Sequence, residues 1–111
     1  LVFNNMIINN KKNLCKYITK NKNKIIVIMF INNSCTKSIQ LKTLINKYNI
    51  DYGYILDFSN FEQYIDIWNI NTIPSLMILK VENNNVIPLD KLCGFNSKFF
   101  INKFKKYNII V

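Results

Sequence analysis

Cys35 is the residue of this chain best placed to do chemistry. It stands in the run FINNSCTKS at 30–38, where an apolar stretch ends and a helical pattern begins. The first backbone N–H groups of a helix lack intrahelical acceptors, and with the helix dipole they stabilise an anion. A thiol at that point ionises more readily, and the thiolate is the form that attacks a disulfide. Lys37 adds positive charge nearby, and the Ser38 hydroxyl can donate a hydrogen bond toward the sulfur. The plainer alternative is a cysteine that packs as a small apolar side chain.

Other chemistries are closed off by residue content. The chain has no His, so a hydrolase triad lacks its base. Cysteines at 15, 35 and 93 have no zinc-ligand spacing, and no metal or other cofactor is expected. Two glycines cannot build a phosphate-cradling loop.

The surrounding pattern supplies a frame for Cys35. Leu14, Tyr17 and Ile18 recur at helical spacing within about Asn10 to Lys20, with Asn9 or Asn10 as a cap. IIVIMFI at 25–31 is apolar on both faces, as a central strand covered by helices requires. The helix opened by Cys35 carries Leu41, Leu44, Ile45 and Tyr48 on one face, and YGYILDF at 52–58 reads as a second strand. Phe61, Tyr64, Ile65 and Trp68 make a further helical face. After Ile73-Pro74 come a strand at 76–82, an Asn83-Asn84-Asn85 turn, and a strand from Val86 to about Leu92, placed at a sheet edge by Pro88. Gly94 breaks that strand, and Asn96 or Ser97 caps a last helix with Phe100, Phe104 and Tyr107 toward the sheet. The expected class is α/β, one domain over 1–111, with a mixed sheet between helices.

The strand–turn–Cys35–helix order, the Ile73-Pro74 step and Gly94 before the last helix together resemble the thioredoxin family, over about Lys11 to Tyr107. The most specific segments are KIIVIMF followed by CTKS, and WNINTIPSLMILK. The resemblance implies a thioredoxin fold, Cys35 as nucleophile, and a cis peptide before Pro74. It also implies that Ile73, Pro74 and Gly94 line the groove that takes an extended protein client. The family's second cysteine is Ser38 here, within Cys35-Thr36-Lys37-Ser38. Its exposed tryptophan is Ser34, and its buried acid is Met29. Without a second thiol the internal release of a mixed disulfide is lost, leaving monothiol exchange or isomerisation. By the same resemblance Cys93 lies in the groove, where it is a candidate resolving thiol or simply a lining residue. Cys15, on the first helix, reads as structural. The CGFS signature and later double glycine of monothiol glutaredoxins are absent.

Composition frames the two functional readings. The chain of 111 residues has no Ala or Arg, while Lys, Asn, Ile, Phe and Tyr abound, which indicates coding in an AT-rich genome. The net charge of +9 would ordinarily suggest an anionic partner. All of it comes from lysines that look scattered, densest at Lys20, Lys22 and Lys24 and at Lys103, Lys105 and Lys106. With no Arg to read phosphate or guanine, this pattern points to a solvated face and away from nucleic acid. No apolar run is long enough to span a bilayer. The first residue is Leu, so the expectation is a soluble, processed chain whose targeting segment, organellar or secretory, lay upstream. The leading reading is thiol–disulfide exchange through Cys35, as a monomer or as a subunit of a complex. The alternative is a redox-inactive fold serving as a binding or scaffold subunit.

Overall fold

The computed structural model describes residues 5–83 and 85–111. Its elements are β1 (Asn5–Ile7), α1 (Lys11–Lys20), β2 (Ile25–Phe30), α2 (Thr36–Lys47), β3 (Tyr52–Ile55), α3 (Glu62–Ile67), β4 (Ser75–Glu82), β5 (Asn85–Cys93) and α4 (Ser97–Lys106). One five-stranded sheet has the order β1-β3-β2-β4-β5. β1 and β2 both run parallel to β3, while β4 is antiparallel to β2 and to β5. The unbroken apolar run thus occupies the middle strand, where both its faces are covered.

Each face of the sheet has its own core. Val27 and Met29 of β2 and Leu76 and Ile78 of β4 meet Leu41 and Ile45 of α2 and Phe100 and Phe104 of α4. The alternate residues Ile26, Ile28 and Phe30 meet Leu14 and Tyr17 of α1, with Phe61 at the head of α3. The period-2 alternation of strand side chains therefore assigns α2 and α4 to one side and α1 and α3 to the other. Gly53 on β3 admits a close approach: a Cβ there would stand 2.6 Å from Ile8 Cδ1.

Asparagine starts two of the helices and ends three of them. Asn10 and Asn96 are the N-caps of α1 and α4, their side chains accepting from the N–H of Asn13 and Phe99. α2, α3 and α4 end on one three-residue pattern: Tyr48-Asn49-Ile50, Trp68-Asn69-Ile70 and Tyr107-Asn108-Ile109. Each of these asparagines has positive φ, between 52° and 58°. The isoleucine N–H reaches back to Ile45, Ile65 and Phe104 O respectively. These are Schellman stops with Asn in the place usually held by Gly.

Several expectations needed adjustment. β1 was not anticipated, because three half-exposed residues carry no periodic signal. β3 stops at Ile55 rather than residue 58, because Asp57 turns the chain by accepting from the Ser59 N–H. Tyr48 does not join the buried face of α2: it is the C-cap, exposed, and Ile50 is buried past the turn instead. Pro88 does lie on the edge strand, next to a register irregularity where Leu89 is the extra residue opposite Ile78 and Leu79. Asn84 of the expected turn lies outside the described residues; Asn83 has φ 50°.

Candidate functional site

The site grows from the carboxyl end of β2. Phe30, the last residue of that strand, pairs with Ser75, and Ser75 pairs with Cys93. The chain then leaves the sheet through a turn that Asn32 organises. Its Oδ1 accepts from the Ser34 N–H at 2.8 Å, and its carbonyl accepts from the Cys35 N–H at 3.0 Å. That turn delivers Cys35 to the N-cap position of α2 in an extended conformation, φ −93° and ψ 124°. Asn32 is a site residue that no periodicity in the sequence marks. Its signal was an Asn two residues before a turn N–H, the spacing of an Asx turn.

Cys35 is partly exposed and its thiol is free. Its pKa is lowered, first by the Ser38 N–H and next by the Ser38 hydroxyl. Slight burial opposes this, and the Lys37 N–H and ammonium add to the lowering. Ser38 is 1% exposed, and its Oγ accepts from the Asn32 N–H at 3.2 Å. The hydroxyl oxygen is thereby held by backbone, which leaves the hydroxyl proton for the sulfur. Thr36 and Lys37 are exposed on the first turn of α2.

The second wall is the Ile73–Pro74 loop. Its peptide bond is cis, Pro74 is buried, and Ile73 packs against the α1/α3 core. Gly94 has φ +69° and donates its N–H to Pro74 O at 2.8 Å, tying the end of β5 to this loop. Ser75 beneath the loop is fully buried, and its hydroxyl donates to Thr72 O at 2.7 Å. Cys93 is exposed, with Sγ 4.0 Å from Ser75 Oγ. Cys93 thus stands at the same end of the sheet as Cys35, whereas Cys15 is on α1, across the sheet from α2.

Met29 is fully buried among apolar side chains of the α2/α4 core. No group of His, Cys, Asp and Glu that could hold a metal occurs among the described residues. No helix there is long and apolar enough to cross a membrane. A cavity of about 470 Å³, lined by Lys24, Asn49, Asp51 and Tyr107 among others, opens at the amino end of β2, away from Cys35.

Neither a protein-family model nor a curated protein sequence matches the chain. Solved structures do. Plasmodium falciparum thioredoxin is 20% identical, with a TM-score of 0.70 over 96% of this chain and 93% of that one. The Schistosoma mansoni thioredoxin pre-protein in its reduced form is 19% identical, with a TM-score of 0.70 over 94% and 98%. A chain in a complex of ferredoxin:thioredoxin reductase with thioredoxin f2 is 17% identical, with a TM-score of 0.72 over 96% and 97%. With its mixed sheet, helices on both faces and near-complete coverage of these neighbours, the chain has the thioredoxin fold.

Proposed function

We propose that the protein carries out thiol–disulfide exchange through the single thiolate of Cys35. The observation that carries this reading is the placement of a partly exposed thiol at the N-cap of α2, under the N–H and hydroxyl of Ser38. The thiolate attacks one sulfur of a client disulfide. The Cys35–client bond forms, the client S–S bond breaks, and the departing client thiolate takes a proton from water. The groove beside the Ile73–Pro74 loop receives the client as an extended segment, and Gly94 holds that loop in place.

Release needs a second thiol. Ser38 cannot supply it, so it comes from the client itself, which gives isomerisation, or from Cys93. In the latter case the Cys93 thiolate attacks Cys35 Sγ, a Cys35–Cys93 disulfide forms, and the client leaves reduced.

The test is the rate of alkylation at Cys35 against pH, read by mass spectrometry in a Cys15→Ser, Cys93→Ser background. The expected apparent pKa lies below that of an unperturbed thiol, about 8.5. Oxidised glutathione should form a mixed disulfide at Cys35, and Cys35→Ser should abolish it. A titration at or above the free-thiol value with no mixed disulfide overturns the reading. Restoring Cys93 should speed loss of the glutathione adduct; an unchanged rate removes Cys93 from the cycle.

A further inference from the structure

The fold gathers seven of the fifteen lysines onto two neighbouring helices. α2 carries Lys37, Lys42 and Lys47 and no carboxylate, and α4 carries four lysines and no carboxylate. Both helices lie on the same face of the sheet. α3, on the other face, carries Glu62 and Asp66 and no lysine. Lysines near a helix C-terminus complement its dipole, which accounts for Lys47 and for Lys103, Lys105 and Lys106. Lys37 and Lys98 have no such account. They sit in first turns that hold no acid, where the dipole disfavours a cation.

Charge alone does not single out this face, because α1 carries Lys11, Lys12, Lys16 and Lys20 and no carboxylate, and Lys103 of α4 is paired with Asp90 of β5. The groove does. Ile39, Thr43, Leu44 and Lys47 of α2 and Phe95 after β5 line an open apolar depression of about 280 Å³. Ile39 is 51% exposed. The depression beside α1 is about 10 Å³, and one of about 300 Å³ by α3 and β5 carries both Asp90 and Lys91, whereas the only charged side chain lining the α2 groove is Lys47. A volume of 280 Å³ is at the low end of the range for small-molecule sites, about 300–1,000 Å³. It accepts one or two anchoring side chains. Ile39 donates its N–H to Cys35 O, so the groove begins one turn beyond the thiol.

We propose that the α2/α4 face docks an acidic protein segment that seats an apolar side chain in the Ile39–Phe95 groove. An apolar cleft rimmed by one sign of charge is complementary to an apolar anchor flanked by Asp or Glu. A second copy presenting the same face would oppose lysine to lysine. A nucleic acid would gain from the lysines but would leave the apolar groove unfilled, and the face offers no Arg for bidentate phosphate contacts. The inference is independent of the chemistry at Cys35, since it rests on groups that take no part in exchange.

The probe is a synthetic helical peptide with a Glu-rich face and one Leu-Phe pair, compared with the same peptide carrying Ser at both apolar positions. Binding is followed by amide NMR shifts of the full chain. Shifts should centre on Ile39, Thr43, Lys47 and Phe95, and affinity should fall as salt is raised. Ile39→Asp should weaken binding by roughly tenfold or more, the scale of one interface anchor. The exposure of Ile39 keeps that variant folded, which its unperturbed spectrum elsewhere would show. Lys47→Glu combined with Lys98→Glu should weaken binding and flatten its salt dependence. The proposal is overturned if the peptide does not bind, if shifts map to the α1 lysines, or if Ile39→Asp or the Ser peptide binds equally well. It is also overturned if oligothymidylate or anionic vesicles bind more tightly than the peptide, or if the protein self-associates through this groove.

Discussion

The two glycines are required for opposite reasons, and substitution can separate them. Gly94 has φ +69°, and a Cβ added there would meet nothing within 4 Å. Its requirement is conformational. Gly53 has no such backbone restriction, but its Cβ would lie 2.6 Å from Ile8 Cδ1 and 3.2 Å from Tyr17 Cε2, both on buried side chains. Its requirement is space. For Gly94→Ala the left-handed backbone costs roughly 1–2 kcal/mol. At roughly 4–8 °C per kcal/mol in a domain of about this size, the melting point falls by about 4–16 °C. Gly94→Asn should cost less than Gly94→Ala, because Asn tolerates that region and five of the described asparagines already occupy it. At Gly53 the order reverses: Gly53→Ala overpacks the core for about 1–3 kcal/mol, and the larger Asn costs more. Urea unfolding of the four variants, with the m-value checked for constancy, measures all of this. Gly94→Ala at wild-type stability, or Asn worse than Ala at residue 94, would refute the conformational account. Asn no worse than Ala at residue 53 would refute the steric one.

Ser38→Ala removes the hydroxyl beside Cys35 but keeps the backbone N–H, so the Cys35 pKa should move up toward the free-thiol value; alkylation against pH reads the shift, and no movement means the hydroxyl does not serve the sulfur. Because the Cys35 pKa is depressed in the folded state, its stabilisation is present above the unfolded thiol pKa and is lost as pH falls through the folded value. In Cys35→Ser this pH dependence should vanish from the unfolding curve. Burial raises the Asp90 pKa, but Lys103 Nζ at 3.0 Å, Tyr107 Oη and the Lys91 N–H outweigh it and hold the carboxyl below its usual range. Asp90→Asn should therefore cost about 1 kcal/mol at neutral pH, and the difference from wild type should shrink as pH falls through the folded carboxyl value. Phe104→Ala, at a fully buried position of the α2/α4 core, should cost about 3–5 kcal/mol in denaturant unfolding.

The order of the long elements was legible because their burial is periodic. β2 announces itself by apolar residues on both faces, and α4 by Phe100 and Phe104 one turn apart. What stayed hidden had no periodicity. β1 is described over only three residues, and its place beside β3 is set by pairing rather than by pattern. The ends of β3 and α2 were misplaced because Asp57 and Asn49 act through local hydrogen bonding and positive φ, which outweigh the apolar residues just beyond them. Cys35 was visible from its helix-start position. The support of Ser38 by Asn32 was not, since it joins two backbone segments whose approach depends on the turn between them. The lysines of α2 and α4, far apart in sequence, come together because those helices share a face.

The register irregularity at Leu89 bears on how the protein survives at high concentration. β5 forms one margin of the sheet over nine residues, and an uninterrupted margin of that length is a template for strands from other molecules. Here the template is spoiled twice. Pro88 has no N–H to offer a newcomer, and the extra residue beside it throws a continuous ladder out of step. The opposite margin is β1, described over Asn5–Ile7. At the β5 margin the sheet therefore carries covalent and geometric interruptions of its own against intermolecular strand addition.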